Sequence, residues 1–545
     1  MLNRTQLGPL SMGACLVLAC CVAGWPSMAH SPSANEKLRS RQSQQTIFEA
    51  AMNNQVQASH LPAEALVYTA ANGQPYATPL AAQRIGVDGP LLLQDSHLID
   101  NQAHFNRKNI PDRVVHALGA GAHGIFTTTT DFASRYTMMS LFQRVGQTTP
   151  LTMRFSNAGG EKGSFDTGRN VRGFAVKFRT PKGNWDLTMN NSPIFFIRDP
   201  AKFPLLIQAL STNTQTGRHD PDATFDYLGS NAEALPQYLR FLSDAGTSQG
   251  WLKTDAFSGH VYKWVKQDGS WVYVKITFKS LQGNYNYTAA EQGSIQNPGQ
   301  ASQELFESIQ AGERPGWKVY AQVMTPRDAE KFRYNVLDLT KEWREDLVPL
   351  NEIGKVELTQ NPTNYFAEVE QAAFTPSNII DGWEPSDDPV LQMRLFAYTD
   401  AQRYRLGANY QQIPVNCPLS AVANYQRDGA SSYLGDQGNR PAFDASYAHL
   451  AVVPRAYNND NHTIWKSGAI RYLSQIAPID FEQPRYFYDN LSPEQKSNLV
   501  GNFAGGLSQV KNRNVVQRVL QVVQQASPEL AQKIYFAMFA SRKAN

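Results

Sequence analysis

The chain has 545 residues, of which 42% are apolar and 18% charged. That composition supports a large buried core and excludes wholesale disorder, a collagen repeat and a coiled coil. The formal charge is +3, from 50 basic and 47 acidic residues, so no electrostatic field singles out nucleic acid as a partner.

Arg4 is the only charge in the first 30 residues, and an apolar run follows from Leu10 to Trp25. Pro26-Ser27-Met28-Ala29 ends it with a small-x-small pattern. The run falls short of the roughly 20 residues of a comfortable membrane span. Residues 1–29 are therefore read as a cleaved signal peptide. The location expected is periplasmic or secreted, with no stable membrane anchor. Cys15, Cys20 and Cys21 lie in that segment, so the mature chain keeps Cys417 alone and no intramolecular disulfide is expected. The next stretch is polar and rich in Gln, Ser and Asn, and residues 30–113 are assigned to an extended or weakly helical arm.

A first candidate for chemistry is Arg113-Val114-Val115-His116-Ala117-Leu118-Gly119-Ala120-Gly121-Ala122. Its small residues would let a bulky planar group approach the backbone, although a lone histidine is more often structural. From 114 to 334, short strand-like runs alternate with turn signals. Thr152, Arg154 and Ser156 share one face of a strand, and Leu151, Met153 and Phe155 the other. Val272, Val274, Ile276 and Phe278 line one side of another, and Lys318 to Met324 behaves similarly. Such density of strands with Gly and Pro between them predicts an antiparallel barrel. Asn190-Asn191-Ser192-Pro193-Ile194-Phe195-Phe196 is a second candidate, although paired asparagines more often make a turn.

From 335 to 477 the chain turns to Pro, Asn and Asp with few periodic segments, which predicts a wrapping segment. Within it, Arg394-Leu395-Phe396-Ala397-Tyr398-Thr399-Asp400-Ala401-Gln402-Arg403-Tyr404-Arg405-Leu406-Gly407 has no proline and a C-capping glycine. As a helix it places Arg394, Tyr398, Gln402 and Arg405 on one stripe. A guanidinium beside a tyrosine favours the phenolate, a hard anion suited to ferric iron and a known haem ligand. Arg405 would lie roughly 10 Å further along at about 1.5 Å per residue, within reach of a haem carboxylate. From spacing alone, a solvent-facing Arg/Tyr stripe is the commoner reading. Residues 478–545 are predicted helical: Ser492-Pro493-Glu494-Gln495 starts one helix that Gly505-Gly506 should stop, Val515 to Val523 form an apolar stripe, and Ser527-Pro528 starts another. The fold class is α+β, an antiparallel β-barrel with arm, wrapping segment and C-terminal helical domain.

There is no Cys-x-x-Cys and no His-Glu-x-x-His, which disfavours zinc and thiol chemistry. Taken together, these segments resemble the monofunctional haem catalases, from about Gly89-Pro90-Leu91-Leu92-Leu93-Gln94-Asp95 to Pro414-Val415-Asn416-Cys417-Pro418 and more weakly into the tail. The proximal run Arg394 to Gln402 carries the resemblance throughout. Arg113-Val114-Val115-His116 does so with Asp112 where a glutamate is usual. Arg154-Phe155-Ser156, Arg172 to Phe178, Gly183-Asn184-Trp185-Asp186, Asn190 to Pro200 and Asn364 to Gln371 add to it.

The resemblance implies disproportionation of hydrogen peroxide on haem b, with modification of the haem left open. His116 would be the distal base and Asn190 the group that positions peroxide. Ser156 would fix the histidine tautomer, and Phe195 and Phe203 would line a dry distal pocket. Tyr398 would ligate iron, with Arg394 and Gln402 supporting it. Arg113, Arg154 and Arg405 would pair with the propionates. A homotetramer is implied as well. A haem peroxidase acting on organic hydroperoxides or donors is the alternative on the same scaffold; a mere haem carrier needs no distal acid–base pair. Two departures stand out. Gly217, Gly229 and Asn231 replace a histidine, a serine and an arginine that hold NADPH phosphate in relatives, so no tight NADPH binding is expected. Gln402 replaces a histidine one turn after the tyrosine, which bears on haem orientation.

Overall fold

The computed structural model describes residues 56–430, 439–453 and 468–544. The expected signal segment lies outside them. The chain divides into two compact units, Met1–Asn109 and Ile110–Asn545.

In the first unit, helix α1 (Ser96–Arg107) is capped by Asp95, whose carboxylate accepts from the amides of Leu98 and Gln83 at 3.1 and 2.9 Å. Ahead of this helix in the first unit, the apolar side chains of Leu80, Val87 and Leu93 are exposed.

The second unit is built on antiparallel strands: β1 (Gly119–Thr128), β2 (Thr148–Asn157), β3 (Arg172–Thr180), β4 (Gly183–Asn190), β5 (Ala256–Phe257), β6 (Tyr262–Val265), β7 (Trp271–Ser280), β8 (Gly316–Met324), β9 (Asn351–Gln360) and β10 (Trp383–Pro385). Pairing runs β7-β5-β4-β3-β2-β1-β9-β8, and β8 pairs back onto β7. Eight strands thus close a barrel and leave no open edge in the ring, while β6 and β10 extend from β7. Alternation decides what goes inside. Phe126, Met153, Phe155, Phe174, Val176, Leu187, Ile276 and Trp317 form one buried core. The opposite face of β1 to β4 points out of the barrel. β9 and β10 come from the stretch expected to wrap, which therefore supplies strands to the barrel as well.

On the outer face, Lys177 and Asp186 form a fully buried pair at 2.8 Å. Asp186 also accepts from the Thr375 amide at 3.0 Å and the Asn378 side chain at 2.8 Å. These bonds satisfy an ion that burial would otherwise make costly, and they fasten residues 375–378 to the barrel.

Helices α2 (Phe203–Leu210), α3 (Pro221–Ser230) and α4 (Leu235–Leu242) pack with the C-terminal α7 (Glu482–Asp489), α8 (Pro493–Ser508), α9 (Arg513–Ala526) and α10 (Pro528–Ala544) around a second apolar cluster. Between them in sequence lie α5 (Gln300–Gln310) and α6 (Pro389–Leu406). Ser492 and Gln495 form the expected capping box of α8. The expected stop at Gly505-Gly506 is corrected: α8 runs on to Ser508. Gly506 lies against Phe225, where a Cβ would sit 3.0 Å from Phe225 Cζ. The glycine serves helix approach rather than termination.

Candidate functional site

Antiparallel register sets the site. Gly119, Ser156, Gly173 and Asn190 are direct partners across β1, β2, β3 and β4, so all four face out of the barrel in one row. Two residues along, Gly121, Arg154, Ala175 and Thr188 make a parallel row on the same face. Four of these eight positions are Gly or Ala, which leaves a shallow, nearly flat floor between polar side chains.

His116 enters this floor from the segment before β1. Among the described residues it is the one non-glycine with positive φ, at 65°. Such a conformation costs about 1–3 kcal/mol and persists only where its surroundings hold it. Three bonds do so. The His116 amide donates to the Ala158 carbonyl at 3.1 Å, Arg154 Nη1 donates to the His116 carbonyl at 2.9 Å, and His116 Nδ1 lies 2.9 Å from Ser156 Oγ. The imidazole rests on Gly173, where a Cβ would be 2.5 Å from His116 Nδ1 and 2.6 Å from Ser156 Oγ. Removal from water, then the charges of Arg154, Arg394 and Arg113, push its pKa down to about 3. The histidine is therefore a neutral base.

Three arginines converge beside it. Arg113 Nη2 donates to the carbonyls of Glu370 and Ala372, both at 2.9 Å. Arg405 Nη1 donates to the Glu370 carbonyl at 2.6 Å, and Arg405 Nη2 to Gln402 Oε1 at 3.0 Å. Arg154 Nη2 donates to the Ala117 carbonyl at 3.1 Å. Glu370, on a π-helical turn over Phe366–Glu370, is the carboxylate nearest to them, 3.6 Å from Arg113 and 3.8 Å from Arg405. Burial, then repulsion from Arg154 and Arg405, holds the Arg113 pKa well below its ordinary value. Arg113 Nη1 and Arg154 Nε are buried without a hydrogen-bond partner. Surplus cations and orphaned N–H groups at the edge of a flat floor fit a planar group carrying carboxylates.

Helix α6 supplies the opposite wall. Asp388 caps it, accepting from the amides of Val390 and Leu391 at 2.9 and 3.1 Å, and binds buried His260 at 2.6 Å. Pro389 opens the helix and Gly407, at φ 109°, ends it. Arg394 Nη2 donates to Tyr398 Oη at 2.7 Å, and its guanidinium lies 4.9 Å from the Tyr398 ring centre. Burial opposes the Arg394 charge, but Tyr398, Tyr262 and Asp388 outweigh it and raise the pKa. A tyrosine oxygen held by a permanent cation is a ready phenolate ligand for a hard metal ion.

The structure thus groups Arg113, His116, Arg154, Ser156 and Asn190 on one side and Arg394, Tyr398, Gln402 and Arg405 on α6. Phe195 and Phe203 pack against the helical cluster, and the Phe195 ring meets Phe196 at 5.4 Å. Asp112 pairs with Lys162 at 2.7 Å. Gly217 sits in a turn at φ 64°, and Gly229 backs onto Arg518 and Val519 of α9. Sequence reasoning did not assign roles to Gly173, Thr188, His260, Glu370 or Asp388. The i, i+2 spacing of Thr188 and Asn190 on one strand was the available signal for Thr188.

A family model described as Catalase matches residues 69–449, and one described as Catalase-related immune-responsive matches 478–538. A catalase of Schizosaccharomyces pombe is 47% identical over 448 residues, which covers 81% of this chain and 87% of that protein. The peroxisomal catalase of Candida albicans is 45% identical over 443 residues, covering 80% and 91%. The solved structure of catalase A from Saccharomyces cerevisiae superposes with a TM-score of 0.84 at 42% identity, covering 87% of this chain and 99% of that one. The periplasmic or secreted location expected from residues 1–29 is corrected by these relatives, several of which are named peroxisomal catalases. A short apolar run behind a single basic residue is a composition, and it does not specify an address.

Proposed function

Because the chain belongs to the catalase family, we propose that it takes haem as haem b, which Tyr398 and the residues lining the floor of β1 to β4 would hold. The protein disproportionates hydrogen peroxide, 2 H2O2 = O2 + 2 H2O. When bound, haem supplies an iron that accepts and returns two electrons per cycle. The remaining steps belong to the protein.

The observation that carries the site assignment is the paired set of contacts at His116 and Tyr398. With its proton on Nδ1 and directed to Ser156 Oγ, His116 keeps a lone pair on Nε2. That nitrogen takes a proton from one peroxide oxygen and returns it to the other, so that water can leave. The Asn190 side chain, in the row next to Gly173, orients the peroxide by hydrogen bonding. Arg394 Nη2 donates to the Tyr398 oxygen and fixes it in place. Arg113, Arg154 and Arg405 would hold the propionates, which would occupy the orphaned N–H groups of Arg113 and Arg154. Gln402 stays tied to Arg405. Phe195 and Phe203 line the approach and exclude water. Exposed Leu80, Val87 and Leu93 in the first unit support a homotetramer, in which a second copy would cover them.

Purified protein grown with ample iron should show a haem absorption band and release oxygen from peroxide alone. Oxygen release only with an added organic donor would favour a peroxidase instead. Gly173→Ala should retain haem but lose oxygen evolution on the order of 10²-fold, because the methyl group displaces His116 by about an ångström. Haem absorbance alongside an oxygen-electrode trace checks both halves.

A further inference from the structure

We propose that Thr188 is a positioning residue, its hydroxyl locking the Arg394 guanidinium against the Tyr398 oxygen and so tuning how strongly that oxygen donates to iron. This rests on the reading of Tyr398 as the axial ligand.

The geometry is specific. Arg394 Nη2 carries two hydrogens and has two close acceptors, Thr188 Oγ1 and Tyr398 Oη, each at 2.7 Å. The next acceptor, the Thr188 carbonyl, is at 3.4 Å, beyond the range of a good N–H···O bond. One hydrogen therefore goes to each oxygen, and the pair fixes the rotation of the guanidinium. Thr188 is itself rigid. It is buried on β4, which pairs with β3 along its whole length, directly opposite Ala175. A valine would suit the strand and the alanine neighbour equally well, so the hydroxyl is explained by Arg394 rather than by the sheet. The same face of β4 carries Asn190 two residues on, which makes one strand the reference for both sides of the planar group.

The sign follows from charge. A cation fixed on the phenolate withdraws electron density from it. Without the Thr188 oxygen, the second N–H has no close acceptor and the guanidinium turns away. The phenolate then donates more strongly and favours the ferric state. In the haem-loaded protein, T188V and T188A should move the ferric/ferrous midpoint potential to more negative values and shift the ferric visible bands. T188S should leave both at wild-type values, and haem content and melting temperature should be similar in all three. Spectroelectrochemical titration reads the result. A wild-type potential in T188V and T188A, or an equal shift in T188S, overturns the proposal; if valine prevents haem loading, the alanine–serine pair decides. Failure of the underlying reading looks different: Tyr398→Phe would then keep the wild-type spectrum.

Discussion

His116→Ala is expected to lower oxygen evolution by about 10²–10⁴-fold, the usual contribution of a positioned acid–base group, with haem content unchanged. Among the described residues, no other neutral base stands on this floor. Asn190 can orient peroxide but cannot carry its proton. Ser156 lies behind the imidazole, on the Nδ1 side. The arginines nearby are cations that repel an added proton. Removing the ring leaves its backbone bonds to Ala158 and Arg154 available, so the loop should keep its course. A pH profile adds a second reading. With a pKa pushed down to about 3, first by burial and then by Arg154, Arg394 and Arg113, His116 stays unprotonated across the range where an ordinary histidine titrates near 6.5. Oxygen evolution should therefore be flat between about pH 5 and 8. The linkage sign is that of a depressed folded-state pKa. The unfolded chain takes up the proton first, so this group's contribution to stability is present above about 6.5 and is lost as pH falls towards 3. Oxygen-electrode rates against pH, with haem absorbance as the control, check the claim. A rate falling with a midpoint near 6.5 would refute it.

Parts of this architecture were legible because they are local. The alternation of Leu151, Met153 and Phe155 against Thr152, Arg154 and Ser156 needs only the pleat of one strand. The stripe of Arg394, Tyr398, Gln402 and Arg405 needs only helical spacing, and Gly407 marks the C-terminal end of the helix. What sequence reasoning missed depends on register. Gly173 matters because it stands between Ser156 and Asn190 in a row whose members come from different strands. Thr188 matters because that row's neighbour reaches α6. β9 escaped for a related reason. Its pairing with β8 shifts register between Val319 and Tyr320, and its buried residues Ile353, Val356 and Leu358 do not keep a period of two. A bulge therefore hid a barrel strand within a stretch otherwise lacking periodicity. Gly505-Gly506 misled in the other direction, since glycine ends a helix only when no neighbour requires its missing side chain.

Tyr398→Phe is expected to cost more than any other single change, because on the proposed reading it deletes the iron ligand, and it also leaves a cation without its partner. Losing a supporting group around a metal typically lowers affinity by about 10–100-fold; losing the ligand atom should exceed that. The phenylalanine ring fits the space, so shape is preserved. The change is electronic: Arg394 Nη2, which donated at 2.7 Å to the phenol oxygen, now faces a ring edge. Burial disfavours its charge, and Tyr398 stands first among the groups that offset this. The guanidinium then has Thr188 Oγ1 alone at close range. Purified Tyr398→Phe should carry little haem, show no phenolate-ligated bands and evolve no oxygen, while its far-ultraviolet circular dichroism matches the parent. Arg394 separates the two contributions. Arg394→Gln keeps the ligand atom but removes the permanent charge, so it should retain more haem than Tyr398→Phe. Equal haem loss in both would mean that the cation, and not the phenolate, holds the iron group in place.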